Sequence, residues 1–290
     1  MFTGVITALV TPFRGGVVDE TALRRLVSEQ IDAGIDGLVP VGTTGESPTL
    51  DHEEHVRVIE IVVDEAKKRV PVIAGTGANS TREAIELSRE AKRVGADGML
   101  QVTPYYNRPT QDGLYRHFRA IVDAVSLPTV LYNVPGRTGC DLLPETVERL
   151  ADSPLIVGIK EATGNLQRAS QIIARCGDRM VVLSGDDATA LPLFSVGARG
   201  VISVVSNVAP SDFAGMWDAW VAGDCKRARD LHYRTFPLSE GLFVEANPIP
   251  VKAALAMMGK ITDEIRPPLY PLSDDHRETL AKTLADLGLV

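Results

Sequence analysis

Short, continuous apolar runs rich in valine and isoleucine recur along the chain, and between them apolar residues return every three or four positions. The runs fall at 4–10, 37–41, 70–74, 98–102, 129–132, 155–160, 180–184 and 200–204. A run without polar alternation suits a strand covered on both faces. The intervening spacing, as in Leu23, Leu26, Val27, Ile31 or Val56, Ile59, Val62, Val63, Ala66, gives an amphipathic helix. Strand then helix, eight times over, predicts an α/β chain folded as a (β/α)8 TIM barrel.

Local signals set the register. Ser80-Thr81-Arg82-Glu83 reads as a capping box, and Ala33-Gly34, Val94-Gly95 and Cys176-Gly177 read as glycine helix stops. After residue 205 only helical spacing remains, at 209–222, 226–236, 248–258 and 273–287. The first of these closes the barrel and the others predict a C-terminal helical layer, dividing the chain into a barrel (1–222) and a helical region (223–290). An open doubly wound sheet would carry a glycine turn after its first strand; Val10-Thr11-Pro12-Phe13 stands there instead.

Composition narrows the function classes. The 290 residues carry a formal net charge of −8 and a pI near 5.2, which argues against a nucleic acid or membrane partner. No apolar run spans a bilayer and the start does not read as a secretory leader, so a cytoplasmic protein is expected. Cys140, Cys176 and Cys225 are odd in number and far apart, which indicates neither a disulfide framework nor a thiolate metal site.

In a (β/α)8 barrel, chemistry gathers at the carboxyl ends of the strands. Lys160, at the end of Leu-Ile-Val-Gly-Ile, would be an ammonium largely stripped of water, and burial favours the neutral amine that attacks a carbonyl. Period-two alternation places Ile156, Gly158 and Lys160 on one face, with Gly158 leaving room below the lysine for a substrate. The competing reading is a rim lysine paired with Glu161. Tyr132 ends the neighbouring strand and can face inward beside Lys160. A phenol is a weak base near neutrality unless other hydroxyls pass protons through it, and Thr43 and Tyr106 end two further strands.

The turn Gly42-Thr43-Thr44-Gly45 offers backbone N–H groups ahead of a helix to a small anion. Arg137, after Pro135-Gly136, could grip a carboxylate with both arms of its guanidinium. Two motifs pull elsewhere. Gly75-Thr76-Gly77-Ala78-Asn79-Ser80 resembles a dinucleotide turn but lacks the third glycine. His52-Glu53-Glu54-His55 spaces its histidines i,i+3, where the zinc hydrolase pattern needs i,i+4.

Taken together, Val41-Gly42-Thr43-Thr44-Gly45-Glu46-Ser47, Thr103-Pro104-Tyr105-Tyr106-Asn107, Tyr132-Asn133-Val134-Pro135-Gly136-Arg137-Thr138-Gly139 and Gly158-Ile159-Lys160-Glu161-Ala162-Thr163-Gly164 resemble the dihydrodipicolinate synthase family. The likeness covers essentially the whole chain. Related N-acetylneuraminate lyases and keto-deoxy sugar acid aldolases share the threonine turn, the tyrosine and the lysine. Arg137 and the Tyr105-Tyr106 pair resemble the synthases more specifically.

The resemblance implies a lyase that joins pyruvate to L-aspartate 4-semialdehyde through a Schiff base on Lys160, without metal or organic cofactor. By the same resemblance Tyr132 moves protons through Thr43 and Tyr106, Thr44 holds the pyruvate carboxylate, Gly185 and Ile202 line its pocket, and Arg137 receives the second substrate. It also implies a homotetramer in which Tyr106 reaches into the neighbouring subunit. Feedback inhibition by L-lysine is implied at an interface site matching Ser47, Pro48, His52, His55, Gly77, Asn79, Glu83 and Tyr105. Pro48 departs there from the small residue expected. The competing reading leaves Glu83 closing a capping box and the histidines solvated.

Overall fold

The computed structural model describes residues 2–290. Eight parallel strands, β1 (Gly4–Ala8), β2 (Gly37–Val39), β3 (Ile73–Gly75), β4 (Gly98–Val102), β5 (Thr129–Asn133), β6 (Ile156–Glu161), β7 (Val181–Ser184) and β8 (Gly200–Ser203), pair in the order β2-β1-β8-β7-β6-β5-β4-β3. The two ends meet through a parallel bridge between Leu38 and Val72 and a bond from the Gly75 amide to the Pro40 carbonyl (3.0 Å). The sheet is therefore a closed barrel without edges.

Alternation along each strand divides the apolar residues between two cores. Ile6, Ala8, Val39, Ile73, Leu100, Val130, Val181, Leu183 and Ile202 fill the barrel. Val5, Leu38, Met99, Leu131, Ile159, Val182 and Val201 face the helices. Outside the barrel stand α1 (Glu20–Asp32), α2 (His52–Ala66), α3 (Thr81–Arg93), α4 (Gln111–Val125), α5 (Pro135–Thr138), α6 (Pro144–Leu150), α7 (Leu166–Cys176), α8 (Ala190–Ser195) and α9 (Pro210–Val221). The chain ends with α10 (Cys225–Gly241), α11 (Ile249–Met257) and α12 (Asp274–Asp286).

The differences from the sequence reading have local causes. The third strand begins later than expected, after Pro71, which lacks the N–H a ladder needs. Helix α10 runs past Phe236 and through Pro237 because Leu238 and Leu242 are fully buried beyond it. A two-residue hairpin, Phe13–Arg14 with Val17–Val18, was not expected. In β6, the pairing with β5 slips so that Thr129 faces Ile156 while Val130 faces Gly158. This irregularity breaks the alternation. Ile156 joins the outer core, and only Gly158 of the two stays in line with Lys160. Nor does Gly158 leave open space, since a Cβ there would lie 3.0 Å from Val181 Cγ2.

Among the described residues, no helix is long and apolar enough to cross a membrane. Cys140 and Cys176 are buried free thiols, and Cys225 is an exposed one.

Candidate active site

Lys160 and Tyr132 are register partners on β6 and β5, and each is only 6% exposed. Their side chains turn into the barrel, where the lysine Nζ lies 4.4 Å from the centre of the tyrosine ring. Glu161 is the next residue and therefore points the other way. Its carboxylate accepts from Asn133 Nδ2 (3.1 Å) and from the Thr163 amide (2.8 Å), so it is not the counter-ion of Lys160. Asn133 also donates to Asp141 (2.9 Å), which Arg168 grips at 2.9 Å through each of two nitrogens. This outer network braces the two strand ends that carry Tyr132 and Lys160.

Gly185, just after β7, is where the lysine stem passes. A Cβ there would sit 2.6 Å from Ala162 Cβ and 3.0 Å from Lys160 Cγ, closer than carbon atoms approach, so only glycine leaves the stem its path. Ile202 on β8 is buried in the same inner core.

The threonine turn follows β2. Val41 and Glu46 bracket it with positive φ (49° and 55°), a conformation that costs non-glycine residues energy and persists only where the surroundings hold it. The amides of Gly45 and Ser47 donate to the Gly42 carbonyl, and that of Glu46 to the Thr43 carbonyl. Those of Gly42, Thr43 and Thr44 are thus left as the candidates for a carboxylate, and α2 begins only at His52. Thr44 is buried, and its Oγ1 accepts from Asn247 Nδ2 at 3.0 Å.

A small cavity of about 40 Å³ lies between Thr43 and Tyr132. A larger one, about 400 Å³, runs from Thr43, Val134 and Arg137 to Ser47, Pro48, His52, His55, Gly77, Glu83 and Tyr105. The structure therefore joins the expected aldehyde end and the expected effector end along one continuous lining. Asn79 stands behind that lining, donating from Nδ2 to the Tyr105 carbonyl (3.3 Å). Arg137, on α5, is exposed and reaches the Asn247 carbonyl (3.4 Å).

Tyr106 is not brought to Tyr132. It is 89% exposed, with φ at 71° and its amide tied to the Thr138 carbonyl (3.3 Å).

Within the larger cavity, Glu83 does not close the expected capping box. Ser80 caps its amide (3.5 Å), but the Glu83 carboxylate lies 3.4 Å from His52 Nε2. His55 is buried with Nε2 2.8 Å from the Gly75 carbonyl. A carbonyl only accepts, so Nε2 carries the proton and Nδ1 is an acceptor. Burial lowers the His55 pKa, which favours this neutral form. Burial raises that of Tyr105, with Glu83 adding to it, so its hydroxyl keeps its proton.

The competing motifs have structural explanations. A Cβ on Gly75 would meet the Val41 carbonyl at 2.5 Å, and one on Gly77 would meet the Val102 amide at 2.4 Å, so both glycines serve the close approach of neighbouring strand ends. The histidine run assembles no group of three metal-ligating side chains among the described residues.

With this geometry, the comparisons with known proteins are decisive. The sequence profile of the dihydrodipicolinate synthetase family matches residues 1–287. The chain belongs to this family. It is 58% identical to a 4-hydroxy-tetrahydrodipicolinate synthase of Geotalea daltonii, over 290 residues and 100% of both chains. A chloride-inhibited dihydrodipicolinate synthase of Acinetobacter baumannii, solved in complex with pyruvate, superposes with a TM-score of 0.98 at 50% identity, covering 100% of both chains. A family member from Cyanidioschyzon merolae, solved with lysine bound, superposes at 0.97 with 42% identity, covering 100% of this chain and 99% of that one.

Several groups around the site escaped the sequence reading. Glu46 and Lys252 form an ion pair of 2.6 Å with both side chains 1% exposed. Asp187 is buried, accepts from the amides of Val204 and Val205 (2.9 and 3.1 Å), and is pushed up to about 6 by burial. The one local sign was a lysine set among apolar residues in Ile249-Pro250-Val251-Lys252-Ala253-Ala254. Nothing in the sequence named its partner.

Proposed function

We infer that this chain is a lyase that condenses pyruvate with L-aspartate 4-semialdehyde to give 4-hydroxy-tetrahydrodipicolinate, the step that commits aspartate-derived carbon to lysine and diaminopimelate. The observation that carries this reading is the Lys160 amine inside the barrel, stacked on Tyr132 and with its stem against Gly185. Family membership supplies the substrates.

The neutral amine of Lys160 adds to the keto carbon of pyruvate, and water leaves to give an imine. Loss of a methyl proton makes the enamine, whose carbon attacks the aldehyde of the second substrate. That substrate's amino group then displaces the lysine and closes the ring. Tyr132 moves the protons and Thr43, across the small cavity, passes them on. Thr44 holds the pyruvate carboxylate, while Gly185 and Ile202 shape its pocket.

Tyr106 completes the relay of a neighbouring subunit in a homotetramer. Its outward projection in a strained conformation supports that role, because such a conformation persists where it serves a site.

Arg137 receives the carboxylate of the semialdehyde. Its position at the cavity lining beyond Thr43 supports this. Arg137→Ala should raise the KM for the semialdehyde by about tenfold or more while leaving that for pyruvate within about twofold, and Lys should substitute poorly because it lacks the planar fork. Steady-state kinetics with each substrate varied in turn checks this. The overall reading fails if the purified chain turns over N-acetylneuraminate or keto-deoxygluconate as well as it does the semialdehyde pair.

L-Lysine is the inhibitor, bound in the arm of the cavity lined by Ser47, Pro48, His52, His55, Gly77, Glu83 and Tyr105, with Asn79 behind it. Glu83 faces an ammonium, His55 and Asn79 offer neutral acceptors, and Tyr105 donates to the carboxylate. The relative solved with lysine bound supports lysine as the ligand, and the shared cavity lining supports its place here. Millimolar lysine should depress the initial rate of the wild type, and Glu83→Ala should need about tenfold more or greater for the same effect. Unchanged wild-type activity across that titration would remove the assignment. Coupling between sites is reciprocal, so pyruvate should shift lysine affinity by the factor that lysine shifts pyruvate affinity.

A further inference from the structure

The threonine turn is fastened from outside the barrel. Glu46 closes the turn in the left-handed region, and its carboxylate takes two bonds from the C-terminal layer. One comes from Lys252 Nζ on α11 (2.6 Å) and the other from the Arg266 amide (3.1 Å). The Lys252 ammonium also lies 4.3 Å from the centre of the Phe13 ring. Thr44 is held from the same layer, by Asn247. A buried ion pair is seldom the most stable filling for its volume, because desolvation offsets the attraction, so its retention has to be sought in geometry. Here the geometry is that of Thr43 and Thr44, three and two residues before the anchored carboxylate.

We propose that Glu46 and Lys252 form a positioning pair for the condensation: the pair holds the strained turn so that Thr43 faces Tyr132 and Thr44 faces the pyruvate carboxylate. Neither residue touches substrate. The proposal rests on the roles given above to Thr43 and Thr44. It assigns the C-terminal layer a share in catalysis that the barrel cannot supply alone.

The test compares Glu46→Gln, Lys252→Met and the double variant E46Q/K252M. The single Lys252→Met leaves a buried carboxylate uncompensated, which puts its folding at risk; the double variant removes both charges at similar volume. For each, borohydride trapping with pyruvate counts the competent sites, and kcat and pyruvate KM are expressed per trapped site. The folded double variant should trap at Lys160, yet show kcat lowered and pyruvate KM raised, each by about tenfold, since small misplacements of catalytic groups cost this much or more. Glu46→Gln keeps one oxygen, for Lys252 Nζ, and loses the acceptor that the second carboxylate oxygen gives the Arg266 amide, so it should keep more of the rate than the double variant but less than the wild type. A merely structural pair would lower the melting temperature and the number of trapped sites without changing the per-site constants. A folded double variant with wild-type kcat and pyruvate KM overturns the proposal. If the double variant does not fold, Glu46→Gln decides: a rate reduced less than in Lys252→Ala or Lys252→Met per trapped site supports it, and wild-type per-site constants in every variant that folds overturn it. Failure to trap pyruvate on the wild type would instead count against the proposed reaction.

Discussion

Lys160→Ala is expected to lower kcat by at least about 10³-fold, because the covalent route through the imine is lost altogether. Lys160→Arg should fare no better, since a guanidinium does not give up its proton near neutrality and cannot attack a carbonyl. The fold should survive. Glu161, the adjacent carboxylate, is satisfied by Asn133 and Thr163 and is not orphaned when the lysine is removed. Tyr132 remains packed in the inner core. Circular dichroism and thermal melting separate this outcome from unfolding, and a folded Lys160→Ala variant with wild-type turnover would sink the mechanism.

Tyr132→Phe should lower kcat by about 10² to 10³-fold, the range general acid–base groups contribute, with pyruvate KM within a few-fold of wild type. The ring is what packs: it lies in the barrel core and under Lys160 Nζ, and phenylalanine preserves both contacts. Only the hydroxyl, the proposed proton carrier, disappears; Tyr132 and Thr43 both line the small cavity. Stopped-flow measurement of imine formation and of steady-state turnover in the same variant locates the loss. A kcat within threefold of wild type would assign proton transfer to another group.

These expectations were readable in the sequence where the information is local. Lys160 and Tyr132 stand at the ends of apolar strands, and strand parity alone aims both into the barrel. The barrel itself follows from eight repeats of one pattern. Parity failed where a slip intervened: the irregularity beside Val157 turned Ile156 outward, and no residue type announces such a slip. Gly158 was misread because the sequence does not tell which neighbour fills the space a glycine leaves, and Val181 does so here. Partners far apart in the chain were invisible for the same reason. Glu46 and Lys252 are separated by 206 residues; the apolar neighbours of Lys252 hint at its burial, but neither residue names the other. The capping motif at Ser80 was half right, since the backbone half needs only local geometry while the Glu83 side chain had a choice between its own helix and His52 on the next. That choice opens Glu83 to the cavity shared with Thr43 and Arg137.

Borohydride reduction in the presence of pyruvate, followed by peptide mass spectrometry, tests the central claim most directly. The expected result is a mass gain of one reduced pyruvate on the peptide containing Lys160, absent when pyruvate or borohydride is omitted and absent in Lys160→Ala. An unmodified Lys160 in an enzyme that still turns over, or the adduct on another lysine, would contradict it.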